Sequence, residues 1–220
     1  MKRDNFHCYR NIFAIDPGYS FRNGAGYAII DDETLRLKDC GVIRPFAPGL
    51  ESFVAAEEIS EKLKRAWEER VGFSYDPALL CIEFPRIHNT GLINGDSLLM
   101  LSYLSGIIRK DFKTPLNQIN FVRPGEWKGC QNKTQTEISV LENLDTWSKK
   151  VVARELASIP KMLHHNVYDA IGLAIWAIKK LNKVKKNSTV RPAFSLLKNP
   201  LNQPLKQIFM RCFNSVTNNV

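Results

Sequence analysis

Three carboxylates stand where a folded chain has little use for charge. Asp16 closes the apolar run Asn11-Ile-Phe-Ala-Ile-Asp16 and is followed at once by Pro17-Gly18, while Glu83 closes Leu79-Leu-Cys-Ile-Glu83. Each run reads as a buried strand stopped by an acid. If the two strands are neighbours in one sheet, both carboxylates leave it at the same end and repel each other unless a cation neutralises them. Asp169 lies in Asn166-Val-Tyr-Asp-Ala-Ile-Gly-Leu-Ala-Ile-Trp176, a helix apolar nearly all round. An ionised Asp buried there needs water, a base or a metal beside it. His165 is one turn earlier on the same face and Asn166 three residues back, so either can share a ligand with Asp169. Three carboxylate donors without a cysteine cluster favour Mg²⁺ or Mn²⁺ over zinc.

The elements that must position these groups follow from pattern. Besides the two acid-ended runs, Gly26 to Ile30, Leu35 to Ile43 and Gln118 to Val122 read as strands, the first three of the chain forming an antiparallel meander. From Glu51 to Arg70 the apolar positions Val54, Ala55, Ile59, Leu63 and Trp67 recur at helical spacing. Ser97 to Lys110 is an apolar helix with small residues for close packing. A polar loop from Pro124 to about Gln135 precedes two helical stretches, Thr136 to Leu144 and Ser148 to Ser158, and a last helix from about Leu163 to Leu181. The order predicts an α/β fold, a mixed sheet with helices packed on it.

Composition sets the outer limits. The chain has 220 residues, 44% of them hydrophobic and 24% charged, which suits one globular domain with a full core. The net charge of +9 is uneven: up to Asp169 there are 22 basic and 22 acidic residues, and beyond it nine basic residues and no acid. We therefore expect a globular body over residues 1–181 and a basic extension over 182–220, partly disordered or a short helix. No apolar stretch is long enough to span a bilayer, and the start of the chain carries no secretory signal. Five scattered cysteines without a Cys-x-x-Cys pair argue against a disulfide framework. A soluble, cytoplasmic protein is the expectation.

The residues also carry a resemblance. Ile15-Asp16-Pro-Gly, then Gly26-Tyr-Ala-Ile-Ile30, then Ile82-Glu83, then His165-Asn-Val-Tyr-Asp169-Ala-Ile-Gly-Leu-Ala174 resemble, in order and spacing, the RuvC family of Holliday-junction resolvases. The likeness runs from about Asn11 to Lys180. It is greatest to the phage-type branch, in which a Trp-Lys-Gly segment after the fifth strand is familiar, here Trp127-Lys128-Gly129.

The resemblance implies an RNase H-like fold with a mixed five-stranded sheet flanked by helices. It implies a Mg²⁺-dependent homodimer, Mn²⁺ substituting, that cuts four-way DNA junctions by paired symmetric nicks, and a phage-encoded protein acting in the host cytoplasm. Carried over residue by residue, Asp16, Glu83 and Asp169 become metal ligands. The family's fourth ligand lies about one turn before the last Asp; here His165 takes that role, with Asn166 as the alternative. Two ions roughly 3.5–4 Å apart would activate water and hold the leaving oxygen, with Asp16 bridging them, giving 5′-phosphate and 3′-hydroxyl ends. Lys128 and Lys133 match the family's catalytically helpful lysines. Arg86 would contact a phosphate, Phe84 would wedge into the junction, and Phe84 and Trp127 would stack on unpaired bases, although Trp127 reads more readily as a core anchor. The competing readings are a nuclease for flaps, forks or RNA–DNA hybrids, and a non-catalytic junction-binding protein.

Overall fold

The computed structural model describes residues 11–72, 79–84, 95–112 and 118–187, with side chains to 183. Five strands form one sheet: β1 (Asn11–Asp16), β2 (Ala25–Asp31), β3 (Leu37–Ile43), β4 (Leu79–Glu83) and β5 (Ile119–Val122), in the order β3-β2-β1-β4-β5. The first three are antiparallel, and β4 and β5 run parallel to β1. The expected meander is present, and the two acid-ended strands are neighbours. The third strand starts at Leu37 rather than Leu35, because the side chain of Asp31 accepts from the N–H groups of Glu33 and Thr34 and Leu35 adopts a left-handed conformation (φ 60°) within that turn.

The central strand β1 is buried on both faces, which is why it reads as an uninterrupted apolar run. Phe13 and Ile15 point to the side covered by α1 (Ser52–Val71) and α2 (Gly95–Asp111), where they join Ile59, Leu63, Trp67, Leu104 and Ile108 in the main core. Phe13 is the hub of its aromatic part, with ring centroids 5.3 Å from Trp67 and 5.2 Å from Phe112. The helical periodicity of α1 is met by Ala55, Ile59, Leu63 and Trp67, whereas Val54 faces outward.

The segment expected to be a polar loop after β5 is more ordered than its composition suggests. It holds a short helix, α3 (Pro124–Trp127), and the beginning of α4 (Lys133–Asn143). Both are nucleated by reciprocal caps: Glu126 with the backbone of Arg123, and Gln135 with Asn132. Lys133 accordingly begins a helix rather than lying in a loop. Helix α5 (Thr146–Leu156), capped by Asp145, and a single 3₁₀ turn (Lys161–Leu163) lead into α6 (His164–Asn187). The chain divides into two compact units, Met1–Lys180 and Leu181–Val220; of the second, only its first residues are described. Among the described residues no helix is long and apolar enough to cross a membrane.

The start of α6 is seated on the sheet by glycine. Gly26 pairs with Asp16 across β1 and β2, and a β-carbon on Gly26 would come within 2.1 Å of the carbonyl oxygen of Asn166. The side-chain amide of Asn166 then donates to the carbonyls of Asn23 and Gly24. Because the obstacle at Gly26 is backbone, it cannot swing aside. Gly26→Ala is expected to cost about 1–3 kcal/mol or more in denaturant unfolding, while Gly125→Ala, where an added methyl meets nothing, is expected to be close to neutral.

Candidate active site

Parallel pairing sets Ile15 opposite Ile82, and both side chains face the α1 and α2 core. Successive strand residues point to opposite faces. Asp16 and Glu83, one residue further on, therefore turn together to the other face, where α6 lies. Asp169, in the second turn of α6, comes down toward them.

Lys128 sits among these acids. Its Nζ is 2.9 Å from Asp169 Oδ2 and 3.7 Å from Glu83 Oε2. The lysine reaches this point because α3 ends at Trp127 and Gly129, with φ 58°, turns the backbone away immediately afterwards. A left-handed residue there favours glycine. Trp127 donates its indole N–H to Glu83 Oε2 at 2.6 Å, and its ring face lies 4.9 Å from Lys128 Nζ. The Trp-Lys-Gly segment thus supplies a donor, a cation and a turn, in that order.

The electrostatics are those of crowded like charges. Burial raises the carboxyl of Asp16 well above its ordinary range, and the charges of Glu83 and Asp169 push it the same way, against Lys128 and Lys133. Burial also raises Glu83, opposed chiefly by Lys128 and the Trp127 hydrogen bond. The ammonium of Lys128 is stabilised by Glu83, Asp169 and Asp16, which outweigh its burial. His165 is half-buried; desolvation and Lys133 hold it below its usual range despite Asp169, so its imidazole is neutral at neutral pH.

Of the residues singled out in the sequence, Asp16, Glu83, Asp169 and Lys128 meet in one cluster, with His165 and Lys133 at its margin. Phe84 follows Glu83 and packs edge-on against Phe121, centroids 5.8 Å apart; Phe121 is 39% exposed and was not singled out. Arg86 lies outside the described residues. Asn166, open as an alternative to His165, has its amide engaged by the loop between β1 and β2. Gly172 is a further residue of the site that the sequence pattern does not single out. It lies against Trp127, and a glycine inside a strongly apolar helix is the kind of signal that marks a close approach.

The three carboxylates fit a divalent cation by donor chemistry and by charge. They are hard oxygen ligands, mutually repelling, and already hold one cation, the lysine ammonium, between two of them. Among the described residues no three ligating side chains converge on a single point in this arrangement.

No protein-family model and no curated sequence matches the chain, but solved structures do. RuvC from T. thermophilus, in complex with a Holliday junction substrate, superposes with a TM-score of 0.54 at 13% identity, covering 79% of this chain and 96% of that one. The yeast mitochondrial Holliday junction resolvase Ydc2 superposes with a TM-score of 0.56 at 13% identity, covering 81% of each chain. The fold is RNase H-like α/β, a mixed five-stranded sheet flanked by helices, as expected.

Proposed function

We propose that this protein is a divalent-metal-dependent endonuclease that resolves four-way DNA junctions. The observation that carries the reading is that, on an RNase H-like fold, Lys128 bridges the carboxylates of Glu83 on β4 and Asp169 on α6 while the buried Asp16 on β1 feels the charge of both. The two solved neighbours act on or are named for Holliday junctions, which supports the choice of substrate.

In this reading Asp16, Glu83 and Asp169, with His165, hold Mg²⁺ or Mn²⁺. The metal supplies Lewis acidity toward the scissile phosphate and a nucleophile at neutral pH. The protein's own groups do the rest. Lys128 and Lys133 face the incoming phosphate with positive charge, and the neutral imidazole of His165 keeps one ring-nitrogen lone pair available to the metal. The Phe84 and Phe121 rings, beside Glu83, offer an aromatic surface to an unstacked base. Symmetric nicking requires two copies. Helix α2 is the proposed interface, since Leu99 is 60% exposed on it and Phe53, edge-on to Tyr103, is exposed beside it.

Cleavage of a synthetic four-way junction with Mg²⁺ tests the reading. Asp16→Asn and Glu83→Gln are expected to lower the cleavage rate at least roughly 100-fold, as removal of a principal electrostatic contributor does, with junction binding retained. Variants that cut like the parent would refute the site, and equal cutting of simple forks would redirect the substrate.

The raised carboxyl of Asp16 gives a second, independent expectation. A carboxyl raised in the folded state binds its proton more tightly there than in the unfolded chain, so its ionisation is destabilising. Stability is unaffected below the ordinary value of 3.8 and declines as pH rises above it. Metal-free Asp16→Asn should therefore melt a few degrees above the parent at neutral pH, and the gap should close on acidification. A variant no more stable at neutral pH would mean that Asp16 is not under this strain.

The basic extension is proposed to gather phosphate. Truncation after Leu181 is expected to weaken junction binding more at low salt than at high salt and to flatten the salt dependence of the affinity. An unchanged slope would make the extension electrostatically idle.

A further inference from the structure

Trp127 and Lys128 are consecutive, and they meet two positions on one face of α6. Lys128 reaches Asp169. The indole of Trp127 lies against Gly172, where a β-carbon would stand 2.5 Å from Cζ3, 3.1 Å from Cη2 and 3.3 Å from Cε3. Residues three apart share a helical face, so the dipeptide on α3 is matched by the Asp169 and Gly172 pair on α6. A glycine in a helix interior costs about 1 kcal/mol relative to alanine, and here the missing methyl is what admits the ring.

The seat fixes the direction of the indole N–H. That group has a single proton and accepts nothing, and it is spent on Glu83 Oε2. Lys128 approaches the same oxygen, at 3.7 Å. Both contacts thus fall on one side of the carboxylate.

We propose that Trp127, seated in the slot left by Gly172, is the positioning residue for Glu83, fixing its carboxylate through Oε2 so that Oε1 is the oxygen open to a divalent cation. The inference rests on the nuclease reading above. Outer-shell partners of ligating groups typically matter 10–100-fold in metal affinity, and this one comes from the dipeptide that also carries the site's lysine.

Two substitutions separate the N–H from the seat. Trp127→Phe keeps an aromatic ring at the position and loses the donor together with the outer ring edge that meets Gly172. Gly172→Ala keeps the donor and displaces the ring. Mn²⁺ binding to the DNA-free protein, followed by electron paramagnetic resonance, is expected to weaken about tenfold or more in both, with junction affinity in EDTA and the melting temperature of Trp127→Phe close to the parent. In a Glu83→Gln background Trp127→Phe should weaken Mn²⁺ binding no further, because its effect passes through Glu83. Parental Mn²⁺ affinity in Trp127→Phe, an equal loss in the Glu83→Gln background, or a Trp127→Phe protein that loses its fold together with its metal would each overturn the assignment. Failure of the nuclease reading looks different: the parent itself would neither bind Mn²⁺ nor cut a junction, and the positioning role would fall with it.

Discussion

Repulsion among three carboxylates is the constraint on which the rest of the structure turns. Two like charges about 4 Å apart cost on the order of 4 kcal/mol at the effective dielectric of a protein site, and here the groups are also largely withdrawn from water. The ammonium groups of Lys128 and Lys133 offset part of that cost, and the carboxyl of Asp16, raised first by burial and then by the charges of Glu83 and Asp169, expresses the remainder. A scaffold optimised for stability alone would place neutral residues at the ends of β1 and β4. Retaining acids there is the mark of a site whose charge is meant for a further partner.

The fold holds the acids together by a small number of rigid devices. Parallel pairing of β1 with β4 fixes Asp16 and Glu83 relative to each other, because the register sets the residues just before them side by side. Helix α6 brings Asp169 to them, and its approach depends on what is missing: Gly26 has no side chain to hold off Asn166, and Gly172 none to hold off Trp127. Asn166 ties the same helix to the loop after β1. The three acids thus come from two strands and a helix whose relative positions are set by close packing, the kind of rigid support that a precisely placed functional site needs.

How much of this is legible in the sequence depends on how local the cause is. Asp16 and Glu83 announce themselves because an acid at the end of an apolar run is a local anomaly, and Asp169 because it interrupts an apolar helix. The meander and α1 follow from period and turn residues. The order in the segment after β5 does not, because its caps, Glu126 on Arg123 and Gln135 on Asn132, stand among residues whose composition is that of a loop. The aim of Trp127 is equally hidden: a tryptophan's ring gives the same sequence signal whether it fills a core, stacks on a base or donates to an acid. Its tertiary neighbours, Glu83 at the indole N–H and Gly172 against the ring, tell these apart. The outward turn of Val54 is a smaller case, since a helical stripe wide enough to include it is compatible with the pattern but not used by the packing.

The central claim is that Asp16, Glu83 and Asp169 form one cation centre. Its most direct test is a crystal structure with Mn²⁺, located by its anomalous scattering. The account predicts density between β1, β4 and α6 with oxygen atoms of all three carboxylates about 2.0–2.2 Å from manganese, and the ammonium of Lys128 withdrawn from its place between Glu83 and Asp169. Saturating Mn²⁺ with no anomalous density at that point, and Lys128 still bridging the two acids, would contradict it.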